Sequence, residues 1–167
     1  MPVDHIHAKD YEELAVERAR ASGVEVDLDV LAVTFNLVRA ANKLVADLEQ
    51  NVYRARGVSY AGFRVLFALW VAGESEPRQL APLAAVTRSS VSSVLNTLED
   101  AGLVQRRRES ADRRVVTVGL TQRGLDMVLD TFSSHHERER EWTDGLSAQE
   151  RRTLADLLRR VVEHHAD

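Results

Sequence analysis

The chain has 167 residues, 44% of them hydrophobic and 29% charged, with a net charge of -4 and no cysteine. That length suits one domain with a sizeable core or two small lobes, in the composition of a soluble globular protein. It excludes disulfides, thiolate metal sites and cysteine-based redox sensing, and no apolar run approaches the length that crosses a bilayer.

The N-terminus, MPVDHIHAKD, lacks a basic segment followed by an apolar one, so no secretory signal is read there. The expected location is the cytoplasm, and no membrane partner is expected. Residues 1 to 9 read as a loose end. Asp10 to Ala21 is a short charged helix with Tyr11, Leu14 and Val16 as its large apolar residues, and Gly23 ends it. Asp27 or Asp29 caps the next helix. There Leu31, Phe35, Val38, Asn42, Val45, Leu48 and Val52 recur at spacings of three and four, and the helix runs to about Arg56, with Gly57 as its stop. Such a stripe is too long for a small lobe to bury and wants partner helices.

Ser59 caps a helix through Val71, with Phe63, Leu66, Phe67 and Trp70 facing the core. Gly73 to Pro77 is a turn. Arg78 to Ala85 is a short helix with Leu80, Leu83 and Val86 pointing inward, and Pro82 inside it is expected to break it or delay its start. Thr87 then caps a helix whose Val91, Val94, Leu95 and Leu98 form one buried stripe and whose stop is Gly102. Arg88, Ser89, Ser90, Ser92, Ser93 and Asn96 lie largely off that stripe. Arginine grips guanine bidentately and small hydroxyl residues bond several base edges, while a helix N-terminus favours phosphate. The same face also suits an ordinary solvated helix.

The next residues favour DNA. Val104 to Arg108 and Val115 to Leu120 read as two strands of a hairpin, the second alternating with period two. The turn Glu109 to Arg113 is polar, with Arg106, Arg107 and Arg108 leading in and Arg113 and Arg114 around its exit. Arginine is the residue preferred for phosphate and for narrow minor grooves, although charged hairpin edges also deter aggregation.

In this order of helix, short helix, arginine-and-serine helix and hairpin, the chain resembles the MarR (multiple-antibiotic-resistance regulator) family. The matching residues are Leu80-Ala81, the run TRSSVSSVLNTLEDAGLVQR, and Asp112-Arg113-Arg114 followed by Leu120-Thr121. The resemblance covers roughly residues 28 to 165. It implies a winged helix-turn-helix lobe with a helical dimerisation region, mainly α with a small β-hairpin wing. It also implies a homodimeric transcription regulator, usually a repressor, that a small molecule often releases from DNA. By resemblance Arg64 is a possible phosphate contact, as is Arg78, and the effector pocket lies where dimer helices meet the DNA-binding lobe. Phe35, Tyr60, Phe67 and Trp70 are its candidate lining, with core packing the competing role for each.

Charge is distributed accordingly. Residues 78 to 123 hold eight arginines against four carboxylates, a net +4, so the remainder carries -8. A basic patch on an acidic body is the footprint of a nucleic-acid reader.

After the wing, Thr121 caps a long helix to about Asp144 with Leu125, Val128, Leu129 and Phe132 on its apolar face. Ser147 and Glu150 form a capping box ahead of a last helix whose stripe is Leu154, Leu157, Leu158, Val161 and Val162. Of six histidines, His135 and His136 with Glu139 are the weak candidate metal ligands. Such pairs are more often solvated, so no metal and no cofactor are expected. HExxH, GxSxG and phosphate-loop motifs are absent from the sequence, which leaves an enzyme reading without an anchor.

The expected organisation is an N-terminal extension (1–26), a dimerisation helix (27–57), a winged-helix DNA-binding lobe (58–120) and C-terminal dimerisation helices (121–167). The expected partners are a palindromic double-stranded operator, a second copy of the chain and a small-molecule effector. The candidate DNA contacts are Thr87, Arg88, Ser89, Ser90, Ser92, Ser93, Asn96, Arg106, Asp112, Arg113 and Arg114. Two other readings stand beside this one: a winged-helix architectural or protein-interaction module without ligand response, and a histidine-based metal-sensing regulator.

Overall fold

The computed structural model describes residues 7–108 and 116–164. The chain divides into two compact units, Met1–Asp47 and Leu48–Asp167, which are taken separately.

The first unit holds α1 (Ala8–Ala21) and most of α2 (Leu28–Leu48). Helix α1 closes with a Schellman turn: the Gly23 N–H donates to Arg20 O at 3.0 Å and the Val24 N–H to Ala19 O at 2.9 Å, with Gly23 at φ +79°. Asp27 is the cap of α2, its Oδ1 accepting from the Asp29 and Val30 N–H groups at 2.9 and 3.2 Å. The buried Glu12 carboxylate accepts from Asn36 Nδ2 at 2.8 Å. Tyr11 and Phe35 lie 5.5 Å apart, and the Arg39 guanidinium sits 5.4 Å above the Phe35 ring, so these helices are joined by a part-buried polar bond and an aromatic–cation cluster.

In the second unit the helical path of α2 continues past Leu48 as a π-helical turn, Glu49–Tyr53, and a 3-10 turn, Arg54–Arg56, before Gly57 at φ +69° stops it. Helix α3 (Tyr60–Ala72) follows, with Ser59 Oγ accepting from the Gly62 N–H at 3.1 Å. Apart from Arg64 its sequence is apolar nearly all round, the pattern of a central helix; it packs against the following helices α4 (Pro77–Leu83), α5 (Arg88–Asp100) and α6 (Gln122–Trp142), and against strand β2 (Val116–Leu120). Phe63, Val65, Leu66 and Leu69 are buried there, joined by Leu80, Leu95, Val118 and Val128. Phe67 is half-buried and Trp70 is 39% exposed, not core as the spacing suggests. Both meet the Phe132 ring at a tilt, with centroids 5.3 and 5.8 Å away.

Helix α4 survives its internal proline. Pro77 occupies its first turn, where a missing donor is harmless, and Gln79 Oε1 accepts from the Glu76 N–H at 2.9 Å. Pro82 lies one residue from the C-terminus, so only the carbonyl of exposed Arg78 loses its helical donor. The expected break or late start therefore does not occur. Leu83, expected to point inward, is 56% exposed; Leu80, Ala81 and Ala84 form the inner face and Val86 is half-buried.

Strand β1 (Val104–Arg108) pairs antiparallel with β2 in the register Val104↔Leu120, Arg106↔Val118 and Arg107↔Thr117. Ser75 adds a one-residue third strand: its N–H donates to Val118 O at 3.0 Å, and the Val118 N–H donates back to Ser75 O at 2.9 Å. Helix α6 starts at Thr121, whose Oγ1 accepts from the Gly124 N–H at 3.0 Å. Helix α7 (Ala148–His164) starts with the reciprocal Ser147–Glu150 bonds, at 2.8 and 3.3 Å, as the capping box requires. Among the described residues no helix is long and apolar enough to cross a membrane.

Candidate nucleic-acid interface

Helix α5 separates its two faces as its spacing demands. Val91, Leu95 and Leu98 are buried and Val94 is half-buried, while Thr87, Arg88, Ser89, Ser90, Ser92, Ser93 and Asn96 are all exposed. Thr87 caps the helix, its Oγ1 accepting from the Ser90 N–H at 3.2 Å, a bond of about 1 kcal/mol. The same hydroxyl lies 3.0 Å from Ser89 Oγ and 2.7 Å from Ser90 Oγ. The helix N-terminus thus carries a cluster of three hydroxyls beside Arg88, which among the described residues has no ion-pair partner. Oriented dipoles and one cation at a helix start suit a negatively charged backbone and base edges together.

The C-terminal end of α5 is locked to the hairpin. It closes with a Schellman turn: the Gly102 N–H donates to Glu99 O at 2.8 Å and the Leu103 N–H to Leu98 O at 2.9 Å, with Gly102 at φ +68°. Arg106 then folds back onto the helix, donating from Nη1 to Glu99 Oε2 and from Nη2 to Asn96 Oδ1 at 2.7 Å. On the other side of the strand Arg107 pairs with Glu74 Oε2 at 3.5 Å, and Thr117 Oγ1 donates to Glu74 Oε1 at 2.8 Å. Strand parity explains the division: Arg106 shares a face with buried Val104, and Arg107 lies opposite Thr117.

The third anchor is the start of α6. Thr121 Oγ1 donates to Gly102 O at 2.7 Å, and the Thr121 N–H donates to Leu103 O at 3.1 Å. A Cβ on Gly124 would stand 1.9 Å from Leu103 O, so the helix passes directly over that carbonyl.

The other candidate residues are placed as follows. The Arg64 guanidinium lies 5.2 Å from the Tyr60 ring centroid. Arg78 is exposed and donates to Glu76 Oε1 at 3.0 Å. Asp112, Arg113 and Arg114 lie outside the described residues, as does Val115, the expected start of the second strand. Tyr60, Phe67 and Trp70 join an aromatic cluster with Tyr53, Phe63 and Phe132, at centroid separations of 5.1 to 5.9 Å. Phe35, in the first unit, lines a shallow groove with Thr34, Val38 and Arg39. A separate cleft of ≈ 570 Å³ opens on the flank of α5, between Ser93, Val94 and Thr97 on one side and Glu49, Arg54 and Val58 on the other.

His135 is a structural centre. Its Nδ1 lies 2.5 Å from the Tyr53 hydroxyl and its Nε2 lies 2.9 Å from Glu139 Oε1; His136 Nδ1 lies 3.3 Å from Glu139 Oε2. Both ring nitrogens of His135 are thus engaged within the chain. Tyr53 is fully buried, and desolvation, with Tyr60 and Glu139 adding to it, holds its phenol well above the usual range. Arg56 ties the same stretch to α6 through Asp130 Oδ2 at 2.8 Å and Ser134 Oγ at 2.7 Å. Among the described residues there is no group of three or more His, Cys, Asp or Glu side chains that could hold a metal ion.

The MarR family model matches residues 58–116, from the residues before α3 to the first residue of β2. An uncharacterised HTH-type transcriptional regulator of Bacillus subtilis, YwaE, is 30% identical over 139 residues, covering 83% of this chain and 81% of its own. The chain belongs to the MarR family. It is a winged-helix DNA-binding transcription regulator. Among solved MarR-family folds, Sco3205 of Streptomyces coelicolor in complex with DNA superimposes with a TM-score of 0.76 at 25% identity, over 83% of this chain and 89% of that one. BpsR of Bordetella bronchiseptica, whose DNA binding is regulated by 6-hydroxynicotinic acid, gives 0.72 at 28% identity over 77% and 97%.

Proposed function

We propose that two copies of this chain bind a palindromic operator, each presenting α5 to the major groove, and that a small-molecule effector controls the complex, with repression as the output. The observation that carries this reading is the face of α5: Thr87, Arg88, Ser89, Ser90, Ser92, Ser93 and Asn96 exposed above a buried stripe. Arg88 is the candidate for bidentate guanine contact and the hydroxyl residues the candidates for base edges and phosphate. The arginines of the hairpin turn, Arg113 and Arg114, are assigned to the minor groove, with Asp112 orienting one of them by a charge-assisted bond.

Pairing through residues 27–57 and 121–167 is supported by apolar surface on each unit. Leu154, Leu157, Leu158, Val161 and Val162 of α7 are exposed, as are Val30, Val33, Phe35 and Val38 of α2. Contiguous apolar faces of this kind mark association sites, and a two-fold reader needs two half-sites a whole number of helical turns apart. The effector reading draws on BpsR, which answers to 6-hydroxynicotinic acid; an effector acts by favouring one spacing of the two α5 helices over another. Such a regulator works in the cytoplasm, where the DNA is.

The test is selection of bound duplexes from a random library, followed by footprinting and sedimentation. A protected inverted repeat bound by a dimer is expected, and Arg88→Ala should weaken it by about 1–3 kcal/mol and relax one base position. Diffuse protection by a monomer would overturn the reading.

A further inference from the structure

We propose that Glu99 and Arg106 are positioning residues, which fix the angle at which the wing leaves the recognition helix and do not themselves touch DNA. The proposal rests on the DNA-reading geometry above, in which α5 and the wing engage one duplex at different grooves.

Three observations carry it. First, the Arg106 guanidinium is already occupied: one nitrogen faces the Glu99 carboxylate and another the Asn96 amide oxygen at 2.7 Å. A planar fork held at two points transmits orientation, which a point charge does not. Second, both partners lie in the last turns of α5, seven and ten residues before Arg106, so the bonds close the short path around the Gly102 turn. Third, Arg106 lies on the face of β1 that also carries buried Val104, directly across from buried Val118. The opposite face is held separately by Glu74 through Arg107 and Thr117. The hairpin root is therefore clamped by a carboxylate on each side, and a rotation of the wing about its root must break one clamp or the other.

A carboxylate on a DNA-binding surface repels phosphate. If Arg106 were a phosphate ligand, removing Glu99 would free it and add one positive charge to the surface, so affinity would rise. A positioning role requires the opposite sign. That opposition makes the pair decidable.

The test uses the full-length protein and the duplex that it selects. Glu99→Gln, Arg106→Ala, Arg106→Lys and the swap Glu99→Arg with Arg106→Glu are compared by urea unfolding, salt-dependent affinity and hydroxyl-radical footprinting. Glu99→Gln is expected to weaken operator binding by about three- to tenfold, the lower part of the range for a coupled pair, despite its added charge. Arg106→Ala and Arg106→Lys should do the same, and the footprint should lose minor-groove protection while keeping that of α5. The swap should recover most of the loss. Tighter binding by Glu99→Gln, or wild-type affinity in Arg106→Lys with no recovery in the swap, overturns the proposal. If Arg106→Ala does not fold, Glu99→Gln decides alone, because the two roles predict opposite signs for it. Failure of the wild-type protein to select any duplex would instead sink the operator reading itself, before a variant is made.

Discussion

At the hairpin root Arg106 reaches α5, Arg107 and Thr117 meet at Glu74, and Thr121 holds the Gly102 carbonyl. Along α7, Leu154, Leu157, Leu158, Val161 and Val162 face outward, and none of the described residues of that helix is buried. Both regions follow from ordinary helix and strand periods, yet they are completed differently. The root is closed by polar bonds from within one chain, whereas the α7 stripe is exposed. A regulator built this way has a fixed relation between each recognition helix and its wing. In the proposed dimer, what stays adjustable is the spacing between the two recognition helices, and an effector would have most leverage there, because interfaces shift between discrete arrangements more readily than a bonded turn.

The comparison breaks most severely at Gly124. A side chain there meets the Leu103 carbonyl at 1.9 Å, and backbone cannot yield as a flexible side chain would. Gly124→Ala should cost about 3 kcal/mol in urea unfolding, the upper part of the range for overpacking. Gly145, with nothing within 4 Å of its Cβ position, is the control, and Gly145→Ala should change stability by less than about 0.5 kcal/mol. Equal stability of the two variants would mean that the root is not rigid.

The same contrast on the α7 side calls for Leu157→Asp combined with Val161→Asp. Both positions are exposed, so the folded chain should keep its helix content. Each apolar side chain withdrawn from an interface forfeits about 1.5–3 kcal/mol, which predicts monomers in sedimentation at micromolar concentration and a loss of operator affinity. An unchanged dimer constant would remove α7 from the interface.

Tyr53 offers a subtler test of the bonds inside the chain. Burial keeps its phenol protonated in the folded state above its ordinary value of 10.0. Between that value and the folded one, unfolding releases a proton, so the native state is favoured fully below pH 10 and loses ground as pH rises above it. Each pH unit in that window costs about 1.4 kcal/mol. Tyr53→Phe removes this slope and also the bond to His135, worth about 1 kcal/mol. It should be less stable at neutral pH and decline less steeply under alkali; parallel curves would show that Tyr53 does not carry the alkaline loss.

How much of this was legible in the sequence depends on the range of the interaction. The caps Ser59, Thr87, Thr121 and Ser147 and the buried stripe of α5 are local, and residue type and spacing declare them. The π turn at Glu49–Tyr53 was not legible, because the apolar stripe continues through it at three- and four-residue steps while the backbone slips to five. Leu83 illustrates a tie that spacing cannot break: positions 83 and 84 both follow Leu80 at helical intervals, and the packed structure buries Ala84. The Ser75 strand spans one residue and so has no period to read. Arg106 reads as a candidate DNA contact from its residue type, and its bond to Glu99, seven residues earlier on the helix, is not a pattern that spacing declares. Tyr53 and His135 are 82 residues apart, beyond any pattern in a single sequence.

The smallest expected effect lies at Ala85, which ends α4 in the left-handed region at φ +45°, the one such non-glycine among the described residues. Its N–H donates to Pro82 O at 3.2 Å and the following Val86 N–H to Ala81 O at 3.0 Å, so the Schellman turn forms although its usual glycine is missing. The Cβ there costs about 1–2 kcal/mol, and glycine would remove it while giving back about 0.5–1 kcal/mol of unfolded-state entropy. Ala85→Gly should therefore raise stability by about 0.5 kcal/mol in urea unfolding. Because the turn precedes the Thr87 cap and the exposed face of α5 is untouched, operator affinity should not move. A variant that is more stable yet binds more weakly would show that the strain at Ala85 sets the pitch of the recognition helix, and would place that turn with the hairpin root among the elements that fix how one chain meets its half-site.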